Sequence, residues 1–119
     1  MKKENKEIVK DLIETITGSE ARLIAVPIPL INYLGCPKKA LVLAQIIYLS
    51  DKGKRPDGYI YKTYKEMYEE VGVKEGTLRR HFKEFKEFGF FDWKVKKANR
   101  FPTVHFKFNI NRFTKVFRA

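Results

Sequence analysis

A single cysteine, Cys36, stands in a chain of 119 residues. No intrachain disulfide and no cysteine-based zinc site can be built from it, and a reducing compartment, the cytoplasm, is the expected setting. Cys36 itself is expected to act as a small apolar filler. Long hydrophobic runs are missing too. Pro27 and Pro29 interrupt 23–34, and the apolar run 40–49 is ten residues, about half of the roughly 20 needed to cross a membrane. The charged start of the chain is unlike a signal peptide. His81 and His105 share no metal-ligand spacing, and neither a phosphate-binding glycine loop nor a nucleophile elbow is present. An enzyme is therefore not expected, nor is a metal, a cofactor or a small-molecule effector.

Acid is also missing from the last part of the chain, where eight cations and no Asp or Glu follow Trp93. The formal net charge is +11, and it is unevenly placed: residues 1–50 contribute +2 and residues 51–119 contribute +9. One-sided basicity of this kind concentrates polyanions and supplies the sequence-independent part of nucleic-acid affinity. A membrane surface would attract the same charge, but no lipid-facing apolar stripe accompanies it. The length is that of one domain, expected to span 1–119.

Two helical patterns meet at one glycine between Thr63 and Phe88. Thr63 with Glu66 forms a capping box, which marks a helix start. Tyr64, Met67, Tyr68 and Val71 then recur on one face, with Lys65, Glu66, Glu69 and Glu70 on the other. Gly72 closes this helix. After Val73 and Lys74 a second helix is expected over 75–88, with Leu78, Phe82, Phe85 and Phe88 inward and Gly89 as its stop. At about 100° per residue, Gly76, Arg79, Arg80 and Lys83 fall on the opposite side. A helix face with one small residue and three cations suits the major groove, where Arg can bond a guanine edge and Gly allows close approach. An ordinary solvated face would carry similar charge, and the glycine turn and capping box favour the nucleic-acid reading.

The remaining segments surround this pair. Residues 3–17 read as an amphipathic helix with Ile8, Val9, Leu12, Ile13 and Ile16 on one side, ended by Gly18. The stripe must be covered either by the body of the chain or by a second copy, and a homodimer is the expectation adopted. Residues 22–34, with their two prolines, read as an extended segment or edge strand. Pro37 fits a first helical turn, and 39–50 is apolar almost all round, the pattern of a central helix. Residues 51–58 read as a loop, and Tyr59-Ile60-Tyr61 as a short strand. Phe91, Trp93 and Val95 alternate with polar residues, as do Val104, Phe106, Phe108 and Ile110 with Thr103, His105, Lys107 and Asn109, giving two half-buried strands. A basic hairpin tip, 97–102, joins them. Asn111 is the expected cap of a last helix over 112–117.

This order of elements resembles the winged helix-turn-helix family over about residues 37–110. The most specific stretches are Gly58-Tyr59-Ile60-Tyr61-Lys62-Thr63-Tyr64 leading to Gly72, then Thr77-Leu78-Arg79-Arg80-His81-Phe82, and Gly89-Phe90-Phe91. The resemblance is to small DNA-binding regulators and to the N-terminal domains of plasmid and phage replication initiators. It implies an α+β fold, a winged helix-turn-helix with an extra N-terminal helix (1–18) and a short C-terminal helix. It further implies that Lys74, Glu75, Gly76, Thr77, Arg79, Arg80 and Lys83 face double-stranded DNA, with Lys94, Lys96, Lys97 and Arg100 as the wing, 94–102. Lys74 departs from the family, which often places Ser or Thr before the recognition helix, and this leaves open which residue starts that helix. The expected function is sequence-specific duplex binding by a transcriptional regulator; replication initiation and a protein-interaction module are the alternatives.

Overall fold

Thr63 ends one element and begins the next, and much of the fold follows from where it sits. The computed structural model describes residues 5–17, 24–52, 58–98 and 101–118. Strand β1 (Ile60–Thr63) runs directly into helix α4 (Tyr64–Val71). At the junction the Glu66 amide donates to Thr63 Oγ1 at 3.0 Å and the Thr63 amide donates to Glu66 Oε1 at 3.0 Å. The expected capping box is thus complete. It holds the Glu66 carboxyl below its ordinary pKa, chiefly through the Thr63 backbone N–H, with the Thr63 hydroxyl and Lys62 adding to it. A depressed carboxylate pKa contributes stability that is present above the ordinary glutamate value and is lost as pH falls through the folded one. Thr63→Ala should therefore cost about 1 kcal/mol near neutrality. Glu66→Ala should make the acid side of the stability curve shallower, as denaturant melts at descending pH would record.

Helix α4 ends at Gly72 (φ 69°), whose amide donates to the Tyr68 carbonyl at 2.7 Å. Val73, buried, and Lys74 complete the turn into helix α5 (Glu75–Phe88), closed in turn by Gly89 at φ 89°. Behind this pair lies helix α3 (Pro37–Lys52), whose Ala40, Val42, Leu43 and Ile46 are fully buried. Strands β2 (Phe91–Ala98) and β3 (Phe101–Phe108) form an antiparallel hairpin, and β1 pairs with β3, so the strand order is β1-β3-β2. The architecture is α+β, mostly helical, with one small three-stranded antiparallel sheet. Phe82 of α5 joins helices to sheet, with ring centroids 5.2 Å from Phe91, 5.5 Å from Trp93 and 6.3 Å from Phe106.

Several expectations are corrected by the structure. Residues 28–34 are neither extended nor a strand: they form helix α2 (Ile28–Leu34). Pro27 is its N-cap and Pro29 sits in the first turn, where no N–H is required, and Leu30 N donates to the Pro27 carbonyl at 3.0 Å. The last helix, α6 (Ile110–Arg118), begins earlier than 112. Its cap is Asn109, not Asn111: the Asn109 amide is tied to the Phe90 carbonyl at 2.7 Å, and its Oδ1 accepts from Arg112 N at 2.9 Å. Ile110 consequently leaves the sheet and is 65% exposed. Strand β1 covers 60–63 instead of 59–61, and α3 is longer than 39–50.

The inward stripe of α4 is narrower than expected. Tyr64, Met67 and Val71 are buried, whereas Tyr68, a further 100° round the helix, is half exposed. Glu70, expected in solvent, instead accepts from buried Gln45 Nε2 at 2.7 Å and pairs with Lys62 Nζ at 2.8 Å, linking α4 to α3 and β1. Phe88 is exposed at the end of α5, stacked on Phe90 at 5.6 Å. Val95 is also exposed while its register partner Val104 is fully buried, because β3 has neighbours on both sides and β2 on one.

Candidate nucleic-acid interface

Lys74 is the N-cap of α5, in extended backbone (ψ 159°) and with no side-chain cap, and its carbonyl accepts from Leu78 N at 2.9 Å. The helix thus starts at Glu75. Glu75 favours the positive helix N-terminus and also faces Arg79 one turn on, with 3.7 Å between Glu75 Oε2 and Arg79 Nη2. The Arg79 guanidinium lies 5.5 Å from the centre of the Tyr64 ring, so α4 supplies a flat surface behind it. Arg80 donates from Nη2 to Thr77 Oγ1 at 3.2 Å. Lys74, Glu75, Gly76, Arg79, Arg80 and Lys83 are all exposed, and Thr77 is partly so. A Cβ added at Gly76 would meet nothing within 4 Å, which leaves room there for a close approach by another molecule.

The opposite side of α5 is anchored. Leu78, His81, Phe82 and Phe85 are buried. Burial, reinforced by Lys39, pushes the His81 imidazole below its ordinary pKa, so it is neutral at physiological pH and serves packing. Lys39 of α3 pairs with Glu84, which ties the first turn of α3 to α5. The outward side chains of this helix are therefore carried on a rigid body.

The sheet divides the wing residues. Lys94 and Lys96 are exposed and alternate with Phe91 and Trp93, which places them on the side of the sheet turned away from α5. Lys94 Nζ lies 4.7 Å from the centre of the Tyr59 ring. Lys97 belongs to β2 by its backbone, its side chain lies outside the described set, and Arg100 lies outside the described residues. Glu75, Gly76, Arg79, Arg80 and Lys83 therefore share the outward side of α5, while Lys94 stands on another surface. No family model, curated protein or solved structure matches this chain.

Basic side chains that sequence reasoning left out of the site also stand on the surface. Lys107 Nζ is 5.7 Å from the same Tyr59 ring, and Arg112, Lys115 and Arg118 are exposed along α6. Arg112 reaches the end of α5, its Nε lying 3.1 Å from the position of a Cβ at Gly89. The acid-free run after Trp93 was the available signal, and the spacing 112, 115, 118 would have placed all three on one helix face. His105, expected on the polar side as an exposed residue, is buried against Tyr61, their ring centroids 3.8 Å apart.

Proposed function

We propose that this chain is a winged helix-turn-helix protein that binds double-stranded DNA at preferred sequences and acts as a transcriptional regulator. The recognition helix is α5, 75–88, in the major groove, and the wing, 94–102, lies on the backbone or in the minor groove. The observation that carries the reading is the outward face of α5. After a three-residue turn it presents Lys74, Gly76, Arg79, Arg80 and Lys83 to solvent, with open space at Gly76 and a buried aromatic layer behind. A helix fits the roughly 12 Å major groove, and Arg can bond the guanine O6 and N7 edge with two donors. Excess cationic charge supplies the phosphate attraction. Selection from a random duplex library should enrich one short motif, which then binds more tightly than random duplex at physiological salt. Recovery of unenriched sequence, with equal affinity for all duplexes, would sink the sequence-specific reading.

The partner proposed besides DNA is a second copy of the chain. Helix α1 (Asn5–Thr17) leaves Ile8, Val9, Leu12 and Ile16 exposed at 50, 53, 56 and 74%, and none of its described side chains packs against the core. A dimer would also present two copies of α5 to two half-sites. Light scattering should give a dimer for the whole chain and a monomer after truncation before Ser19. A monomer at tens of micromolar that still binds its site tightly would overturn this.

A further inference from the structure

The exposed stripe of α1 has a counterpart elsewhere on the chain, where α2, the end of α5 and α6 leave a second apolar surface open. Tyr33 of α2 joins it together, its ring 6.1 Å from Phe88 and 5.0 Å from Phe117, with its hydroxyl donating to the Val116 carbonyl at 3.4 Å. Phe90 and Phe113 continue the cluster inward. The outer members stay open: Phe88 and Phe117 are 39 and 37% exposed, Ile110 is 65% exposed, and no residue of α6 is buried. Charge borders this surface on one side. At about 100° per residue, Arg118 and Lys115 come next round α6 beyond Phe117 and Ile110, and the helix holds no acid. The α1 stripe is bordered unevenly too, with Glu7, Asp11 and Glu14 on the flank beyond Ile8, and Lys6 and Lys10 on the flank beyond Val9. Glu7, Glu14, Lys115 and Arg118 are all exposed, and none of them is in an ion pair among the described residues.

We propose that α1 of one copy seats on the surface formed by Tyr33, Phe88, Ile110 and Phe117 of a second copy, and that the second copy's α1 is seated in return. Ile8, Leu12 and Ile16 lie over the rings, and the acidic flank of the stripe lies beside Lys115 and Arg118. The inference rests on the homodimer proposed above and assigns its contact surface. Such an exchange closes at two copies, because each gives one helix and receives one. Pairing α1 with α1 covers the stripe but leaves the rings open, whereas the exchange covers both. Seating a helix needs exposed apolar area and no free ring face, so the contacts within the aromatic cluster are kept. The apolar contact supplies most of the affinity, since exposed ion pairs contribute little. Charge decides which way round the helix lies.

Sedimentation velocity on the full chain at low salt, with variants alone and mixed, tests the proposal. One variant carries Glu7→Lys with Glu14→Lys and the other Lys115→Glu with Arg118→Glu, so that only exposed side chains change. Each alone sets like charges together at both seats and should weaken the dimer roughly ten-fold. An equimolar mixture of the two should regain the parent affinity, because both seats of the mixed dimer then join opposite charges. Phe117→Glu should leave a monomer at tens of micromolar, and Ile110→Glu, at a more exposed position, should weaken the dimer in the same sense if Phe117→Glu proves unstable in a thermal melt. The proposal is overturned if the parent is a dimer and the α6 variants dimerise as tightly as it does, since α1 is then seated elsewhere while the homodimer reading stands. A mixture no tighter than its components overturns it as well. A parent that is monomeric at tens of micromolar overturns both the seat and the homodimer.

Discussion

Arg79→Ala and Arg80→Ala are each expected to cost about 1–3 kcal/mol on the preferred duplex and far less on random duplex, if each guanidinium makes a bidentate base contact. The reason lies in how these side chains are held. Arg79 stands over the Tyr64 ring and faces Glu75, and Arg80 is linked to Thr77, so both leave a rigid helix in restricted geometry. A preorganised fork loses little freedom when it meets a base edge. Lys96, Lys97 and Arg100, on the hairpin, should behave differently. Phosphate contacts position a protein without reporting sequence, so loss of any one should weaken all duplexes alike and lower the slope of log affinity against log salt by roughly 0.9. Titrations of single variants against both duplexes at several salt concentrations separate the two classes. If the arginine variants lose affinity equally on both duplexes while the hairpin variants lose discrimination, the hairpin reads the sequence and α5 anchors it.

Phe82→Ala is expected to destabilise the fold by about 3–5 kcal/mol. Phe82 is fully buried and its ring meets Phe91, Trp93 and Phe106, so truncation opens a cavity where α5 meets the sheet. The surrounding elements cannot all close it, because β2 and β3 are held in register from Phe91 to Phe108. Phe88→Ala, on the same helix but 39% exposed, should cost much less. Denaturant melts should show a lower midpoint at unchanged slope for Phe82→Ala. Equal losses at the two positions would mean that the core does not centre on the α5–sheet contact.

Interactions within one turn of chain were legible in the residues themselves. The capping box of Thr63 and Glu66, the stops at Gly72 and Gly89, the inward Leu78, Phe82 and Phe85, and the outward Arg79, Arg80 and Lys83 all follow from helical spacing and local hydrogen bonding. The alternation of Phe91 and Trp93 against Lys94 and Lys96 likewise specified which side of each strand is apolar. Prolines were misleading, since Pro27 and Pro29 break a ladder but suit a helix start equally well, and only the packing of Leu30 into the core selects the helix. Glu70 looked solvated because its partner Gln45 is 25 residues away. His105 looked exposed because its burial comes from Tyr61 on a neighbouring strand. Tyr59 gave no sign that Lys94 and Lys107 would meet at its ring. Local patterns therefore determined the helix that faces outward with its cations. Tertiary structure alone decided which residues of β1 lie beside those of the hairpin on the far side of the sheet, because the β1–β3 register joins residues 40 to 46 positions apart, from Thr63 with Thr103 to Ile60 with Phe106, and no short-range spacing encodes that.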